Sequence, residues 1–251
     1  MKEYQLALSD EILMKVEKPA RYIGNEVNSI VKTGDENVKI RYAMCFPDVY
    51  EIGMSHLGMK ILYDMLNQWE DVWCERVFSP WVDLDKIMRE EKIPLFALES
   101  QQPIKEFDFL GITIQYEMCY TNILQILDLA AIPFRNKERT WEHPIVMGGG
   151  PCTYNPEPIA DFFDIFYIGE GETRYREVLD LYLECKENGT TREEFLRKAA
   201  LIPGMYVPMF YQVAYHEDGT ISEFGPIYEE LPTVITKEMV KDVSNTYYPM
   251  K

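Results

Sequence analysis

The stretch PIVMGGGPCTYNPEPIADFFDIFYIGEGETRYREVL, residues 144–179, contains two glycine clusters, and each directly follows a short apolar run. Gly148, Gly149 and Gly150 end the first run, and the tetrapeptide Gly-Glu-Gly-Glu at 169–172 ends the second. Apolar residues at helical spacing begin immediately afterwards. Because glycine has no side chain, such clusters at the ends of two neighbouring strands predict a place where a ligand or another domain approaches the backbone closely.

Strand-like and helix-like patterns alternate from residue 38 to about residue 186. The predicted strands lie at 38–47, 74–80, 94–99, 107–117, 144–149 and 164–172. The predicted helices lie at 57–69, 82–91, 121–131, 156–162 and 173–186, and Thr121 or Asn122 is expected to cap the third of them. This alternation predicts an α/β fold, an open flavodoxin-like (Rossmann-like) parallel sheet of about five strands with helices on both faces. The nearly continuous apolar runs at 107–114 and 165–168 are typical of buried parallel strands.

Two flanking regions differ in character from this alternating core. Residues 1–36 are expected to form an N-terminal arm with a short helix at 10–16, in which Pro19 and Gly24 indicate a connector rather than a core element. Residues 37–190 are assigned to the α/β domain. Residues 191–251 are expected to add a helix, a β-hairpin with an Asp-Gly turn at 216–219, and a tail without a closing element. We interpret that tail as a linker to a further domain.

Composition excludes several classes of function. The 251 residues include 25 Lys and Arg against 42 Asp and Glu, a net charge of −17, which argues against nucleic-acid binding. No apolar run approaches the ~20 residues that span a bilayer, and no signal peptide is present, so a cytoplasmic protein without membrane contact is expected. The five cysteines contain no CxxC or CxxxCxxC motif, so the sequence predicts no cysteine-held zinc or iron–sulfur site.

The candidate binding residues follow from the predicted sheet. Ligands of open parallel sheets bind outside the carboxyl ends of the strands, where the connecting loops gather. The loops expected there supply the candidate cofactor-binding residues, which are Gly53, Ser55, His56, Tyr116, Glu117, Gly148, Gly149, Gly150, Gly169, Glu170 and Gly171. We assign no catalytic residue and no metal ligand, because the three histidines have no partners for a Ser-His-Asp or Cys-His set.

Each of these features also has a structural interpretation. Glycine pairs after strands commonly form tight turns, and the acids of the second cluster would favour the N-terminus of the helix that follows. A lone histidine in a loop, such as His56, more often makes a turn hydrogen bond than a metal bond. Glu170 and Glu172 alternate along the chain and would point to opposite sides, which argues against a catalytic carboxylate pair.

The two glycine motifs together resemble a known family. A strand ending in VMGGGPCTYNPEPIAD, followed by DIFYIGEGE and a helix, resembles the cobalamin-binding-type N-terminal domain of radical S-adenosylmethionine enzymes. The segments EKPARYIGNEVN (17–28) and FPDVYEIGMSHLGMKILYDMLN (46–67) are similar to the start of an uncharacterised branch of that family. The resemblance covers about residues 17–190.

The resemblance implies an organising domain with cobalamin as its candidate cofactor. The Asp-x-His-x-x-Gly motif of histidine-ligated cobalamin domains is absent around His56, so that ligand role is not carried over. S-adenosylmethionine and a 4Fe-4S cluster would belong to a downstream radical domain, the expected partner, which this chain lacks; the chain alone is then expected to be inactive. The oligomeric state stays open. The alternatives are a degenerate scaffold domain without a cofactor and, with less support, a stand-alone flavodoxin-like electron carrier, whose Ser/Thr-rich phosphate loop is absent.

Overall fold

The computed structural model describes residues 6–242, 244 and 246–247. The strands of these residues are β1 (Ile40–Phe46), β2 (Val72–Phe78), β3 (Phe109–Thr113), β4 (Ile145–Gly149), β5 (Ile165–Tyr167), β6 (Met205–Tyr206), β7 (Tyr211–Tyr215) and β8 (Ile221–Pro226). The helices are α1 (Asp10–Leu13), α2 (Tyr50–Gly53), α3 (Leu57–Gln68), α4 (Val82–Glu91), α5 (Tyr120–Leu129), α6 (Tyr175–Glu187) and α7 (Arg192–Ala199).

The main sheet has the strand order β2-β1-β3-β4-β5-β6. Its first five strands are parallel, and β6 joins β5 antiparallel. The order 2-1-3-4-5 is that of flavodoxin-like sheets. The predicted fold class is therefore confirmed.

Two apolar layers cover the sheet, one on each face. Alternate residues of β1 divide between them, so that Tyr42 and Met44 face one layer and Ala43 and Cys45 face the other. Helices α3, α6 and α7 pack on the first face, and α1, α4 and α5 pack on the second. The helices on both faces also agree with the prediction.

The sequence predicted a strand at 94–99, and this prediction is wrong, because the segment does not form one. Only an isolated bridge joins Phe96 to Pro103. The segment is held to β2 by one backbone bond, from Leu98 N to Arg76 O at 2.9 Å, and by Glu99, whose carboxylate accepts a bond from Arg76 N at 2.7 Å. Because a side chain takes the place of the next backbone acceptor, the ladder does not extend.

Two further local expectations are corrected. Helix α5 begins at Tyr120 with Cys119 at the N-cap position, so Thr121 and Asn122 lie inside the helix and do not cap it. The Asn122 side chain instead donates to Pro47 O at 2.9 Å, which ties α5 to the loop after β1. The helix expected at 156–162 is a 3₁₀ helix, Glu157–Phe162.

The N-terminal arm is part of the core, so its interpretation as a mere connector is wrong. Leu8, Leu13, Val16 and Tyr22 are buried in the second apolar layer. The arm is also held by polar contacts, since Arg21 Nε donates to both oxygens of Glu51 at 3.0 and 2.9 Å. Burial of several large side chains stabilises such a segment more than its short helix does.

The region after residue 190 is joined to the sheet through both α7 and β6. Arg192 of α7 donates to Asp164 Oδ2 at 3.0 Å, in the turn that precedes β5. Strands β7 and β8 form the predicted hairpin, in which Gly219 has φ +84° and His216 N donates to Thr220 O at 2.8 Å. The division at residues 36 and 190 stays a prediction. Within the described part of the chain, none of the helices has the length and apolarity needed to cross a membrane.

Candidate cofactor-binding edge

A cleft of about 190 Å³ lies at the carboxyl ends of β1, β3, β4 and β5. We call it the edge cleft. Six of the predicted site residues line it, and they are His56, Gly149, Gly150, Gly169, Glu170 and Gly171. Other lining residues include Met44, Leu62, Gly111, Thr113, Gln115, Tyr167 and Tyr175. The sheet thus brings the loops after β1, β3, β4 and β5 together where its topology requires.

The Gly-Glu-Gly-Glu loop is occupied by the chain itself. Glu238 of the C-terminal segment pairs with Gly169 as a short parallel bridge, with hydrogen bonds from Glu238 N to Ile168 O (3.1 Å) and from Glu170 N to Glu238 O (3.0 Å). Gly169 has φ +137°, and a Cβ there would overlap the Glu238 backbone. This glycine therefore makes room for the tail of the same chain.

Side-chain contacts strengthen the attachment of this tail. Arg174 Nε donates to the Glu238 carboxylate at 3.0 Å, and the Glu170 carboxylate accepts a bond from Val240 N. Gly171 is also crowded, because a Cβ would lie 2.7 Å from Leu62 Cδ2. Glu170 and both glycines of this loop thus have partners within the chain.

The triple-glycine loop after β4 is different. A Cβ at Gly148 would lie 2.6 Å from the Phe166 ring, and Gly150, with φ +103°, would place a Cβ 2.8 Å from Ile114 O. Gly149 lies between them, and a Cβ added to it would have no neighbouring atom within 4 Å. Among the described glycines that line the edge cleft, Gly149 differs from the rest. At each of the others an added Cβ would meet atoms of the same chain, and at Gly149 it would not.

His56 caps helix α3, as the sequence analysis expected of a turn residue. Its Nδ1 accepts a hydrogen bond from Met59 N at 3.2 Å, and its ring packs on Phe46 with centroids 5.2 Å apart. A nitrogen that accepts from a backbone N–H carries no proton, so the neutral ring bears its proton on Nε2. In that tautomer the free ring nitrogen of His56, a residue that lines the cleft, is a hydrogen-bond donor and has no lone pair to offer.

Five predicted site residues do not line the edge cleft. Gly53 is buried against Phe78, Gly148 packs on Phe166, and Ser55 Oγ donates to Ile52 O at 3.3 Å. Tyr116 donates to the Asp48 carboxylate, and this hydrogen bond raises the pKa of Tyr116 to about 12. The remaining residue of the five is Glu117, which is exposed beside Tyr116. Their role in binding stays a prediction.

A buried tyrosine cluster at the floor of the cleft was missed by the sequence analysis. Tyr167 OH donates to Glu170 O at 3.0 Å, and burial raises the pKa of Tyr167 to about 12. Tyr42 and Tyr175 bring their hydroxyl groups within 3.4 Å of each other. The alternation of side chains along β1 and β5 could have predicted that Tyr42 and Tyr167 lie on the same face of the sheet, the one that α6 and its Tyr175 cover.

The described residues hold no group of three or more His, Cys, Asp or Glu side chains that could bind a metal ion. Cysteines 45, 74, 119 and 185 are buried, and Cys152 is half-buried. Burial raises the pKa of the Cys45 and Cys74 thiols, which opposes the thiolate form that metals require.

The strand order defines a flavodoxin-like α/β domain, and its cleft lies at the carboxyl ends of the strands. Residues 58–208, more than half of the chain, match the family described as radical SAM proteins, N-terminal. The chain therefore belongs to this family of N-terminal domains of radical S-adenosylmethionine proteins, which confirms the resemblance found in the sequence.

Individual proteins that resemble the chain are much longer. It is 29% identical over 131 residues to the uncharacterized protein MJ0966 of Methanocaldococcus jannaschii, a match to 52% of this chain and 24% of that protein. Two solved structures of the cobalamin-dependent S-adenosylmethionine radical enzyme OxsB, one with aqua-cobalamin and one also with S-adenosylmethionine, match at 15% identity with TM-scores of 0.41 and 0.42. Each match covers 78% of this chain and 24% of OxsB. The chain thus spans about a quarter of the length of these proteins.

Proposed function

We propose that this chain is the cofactor-organising domain of a radical S-adenosylmethionine protein and that its edge cleft contacts cobalamin without a histidine ligand. The downstream radical domain, which would hold S-adenosylmethionine and a 4Fe-4S cluster, is the proposed partner across the same edge. The observation that carries this proposal is Gly149, a cleft glycine whose missing side chain leaves backbone open to an incoming group. A ligand is the simplest reason for a glycine that no intrachain contact requires.

The cleft fits one part of a corrin better than the whole of it. Its volume of about 190 Å³ lies below the ~300–1,000 Å³ of enclosed small-molecule sites. A molecule as large as cobalamin would therefore lie across the edge, in contact with Gly149 and the rim side chains of His56 and Gln115. The cofactor would supply the cobalt chemistry, and the protein would orient it.

His56 would act as a hydrogen-bond donor in this arrangement. Its Nδ1 is engaged by Met59 N, so a bond from His56 to cobalt through Nε2 would require loss of the Nε2 proton. A carbonyl or amide oxygen of the cofactor is the partner that suits the Nε2–H group.

A scaffold domain without a cofactor is the second candidate. The observation that favours it is the bridge between Gly169 and Glu238, which shows that part of this edge already accommodates a protein segment. On that view Gly149 receives a side chain of a neighbouring domain.

Retention of cobalamin separates the two candidates. The full chain is mixed with hydroxocobalamin, desalted, and scanned for corrin absorbance. We expect retention by the unmodified chain, loss of retention by Gly149→Leu, and full retention by the matched control Gly225→Leu, a second glycine with open space around its Cβ, in the hairpin. Absence of corrin from the unmodified chain would overturn the cobalamin proposal and favour the scaffold.

The same assay tests the role of His56. The variant His56→Ala is expected to leave the visible spectrum of the retained cofactor unchanged, because no cobalt–histidine bond is lost. A shift towards the spectrum of ligand-free cobalt would identify His56 as a ligand after all.

A further inference from the structure

Glu172 is a carboxylate of the edge cleft that no intrachain contact engages. It lines the cleft and is half-buried. Within the described part of the chain it makes no hydrogen bond or ion pair, not even with the backbone N–H groups at the start of α6. Its charge nevertheless acts on the interior of the cleft. Burial chiefly raises the pKa of Tyr175, which also lines the cleft, and the negative charge of Glu172 adds to that increase.

The other acid of this loop, Glu170, is engaged by the tail of the chain. Its carboxylate accepts a hydrogen bond from Val240 N, and Lys237 of the same tail lies close enough for the two opposite charges to act on each other. Arg174, a further cation beside this loop, is paired with two other carboxylates. Of the two acids that line the cleft, Glu172 is therefore the one left for an incoming group.

The edge cleft is acidic. Among the described residues that line it, two carry carboxylates and none is lysine or arginine. The net charge of −17 over the whole chain adds to the negative potential. An anionic group is therefore repelled from the cleft, most strongly near Glu172, whereas a group with N–H donors is attracted to its carboxylate.

The lining residues include both a donor and acceptors. The free ring nitrogen of His56 is a donor, as the bond from Met59 N to its Nδ1 requires. Gln115 Nε2 donates to Thr113 Oγ1 at 2.5 Å, which leaves the Gln115 carbonyl oxygen as an acceptor beside the Glu172 carboxylate. A primary carboxamide matches this set, because its oxygen accepts and its NH₂ group donates. A carboxylate cannot donate, and an ammonium group cannot accept.

We propose that the edge cleft takes a primary carboxamide side arm of the corrin and excludes the corresponding carboxylate, and that Glu172 sets this selectivity. The inference rests on the proposed binding of cobalamin, whose ring carries primary carboxamide arms around its periphery. The volume of about 190 Å³ suits one such arm, while the ring lies across the edge outside it. Gly149 leaves the backbone beside the arm uncovered.

The test is equilibrium dialysis of the full chain at low ionic strength, with corrin absorbance as the readout. The probes are hydroxocobalamin, its separated monocarboxylic acids, in each of which one peripheral carboxamide is hydrolysed, and the methyl esters of those acids, which are neutral but lack the N–H donors. At least one acid is expected to bind about tenfold more weakly than hydroxocobalamin, and its ester should bind with intermediate affinity. Equal affinity for hydroxocobalamin and every monocarboxylic acid would overturn the proposal.

The variant Glu172→Gln assigns the selectivity to one residue. Because the Glu172 carboxylate has no partner among the described residues, the fold should be retained, and glutamine keeps an acceptor while it removes the charge. We expect the ratio of the affinities for amide and acid to fall from about tenfold to about threefold or less. Glu223→Gln is the matched control, because it changes the net charge equally at an exposed hairpin position outside the cleft. An unchanged ratio in Glu172→Gln would overturn the role of this residue.

Failure of this inference and failure of the proposed function give different results. Equal binding of amide and acids leaves cobalamin binding standing and removes the selectivity, whereas absence of binding by every corrin removes both. Ionic strength provides a further readout, since about 1 M salt should reduce the discrimination in the unmodified chain and change it little in Glu172→Gln. Discrimination that persisted undiminished in the unmodified chain at high salt would overturn its assignment to the charge of Glu172.

Discussion

The two glycine clusters look alike in the sequence and differ in the structure. In the Gly-Glu-Gly-Glu loop, Gly169 and Gly171 make room for the backbone of Glu238 and the side chain of Leu62. In the triple-glycine loop, the outer two glycines are crowded in the same way, but Gly149 has open space where a side chain would be. The first cluster serves the tail of its own chain, and the second leaves one position free for something else.

Structural and functional glycines differ in what surrounds the position of the missing side chain. The fold explains a glycine that has a positive φ, or one at which an added Cβ would collide with neighbouring atoms. A glycine with ordinary φ and no neighbour, placed in a cleft, is not explained by the fold. Stability and binding should therefore respond in opposite ways to substitution at the two kinds of position.

The largest effect is expected for Gly169→Ala. An alanine there has an unfavourable φ and overlaps the Glu238 backbone, so the free energy of unfolding should fall by about 3 kcal/mol. Urea denaturation measures the loss, and proteolysis of the segment near residue 238 should become faster. A change below about 0.5 kcal/mol would mean that the tail does not lie against Gly169 in solution.

A smaller loss is expected for Gly150→Ala, in the other cluster. Its φ of +103° is unfavourable for alanine and a Cβ would meet Ile114 O at 2.8 Å, so we expect about 2 kcal/mol. The same denaturation experiment applies, with Gly225→Ala as the control in open space. Equal stability of the two variants would contradict the assignment of Gly150 as a structural position.

The third effect concerns His56, which lines the same cleft as the glycines. Loss of its cap in His56→Ala should cost about 1 kcal/mol, and His56→Asn should restore most of it because asparagine is a good N-cap. Thermal or urea unfolding of both variants measures this. If alanine and asparagine were equally destabilising, the ring packing on Phe46 would be the more important contact.

The smallest effect on stability is expected for Gly149→Ala. With ordinary φ and open space, alanine should change the free energy of unfolding by no more than about 0.5 kcal/mol, and the change should tend towards stabilisation because alanine restricts the unfolded chain. A loss comparable to that of Gly150→Ala would remove the contrast between the two positions. The retention assay on the same variant shows whether the added methyl group is felt by a ligand.

The sequence predicted the sheet well because its signals are local. The alternation of strand and helix patterns, and the glycines after two strands, are properties of short windows, and the parallel topology then places the loops at one edge. The cap at His56 was also within reach, since the histidine precedes the first turn of α3.

The features that the sequence analysis missed are contacts between distant residues. Glu238 and Gly169 are far apart in the sequence, and the local sequence around either residue contains no signal of their contact. The arm was interpreted as a connector because Pro19 and Gly24 stand out locally, whereas the burial of Leu8 and Tyr22 depends on α4 and α5. At 94–99 the apolar pattern suited a strand, but the carboxylate of Glu99 occupies Arg76 N, where a backbone carbonyl of a strand would bond.

That carboxylate also affects how copies of this domain can associate. An outer strand with free N–H groups invites pairing with the outer strand of another molecule. Here Arg76 N of β2 is taken by Glu99, and Glu75 of the same strand binds Ser100 N at 2.9 Å, so the segment 94–100 covers this border of the sheet. At the opposite border β6 is only two residues long, Met205–Tyr206. Pairing of the main sheet of one molecule with that of another is therefore disfavoured at both borders, and the strands left open to such pairing are those of the β7–β8 hairpin.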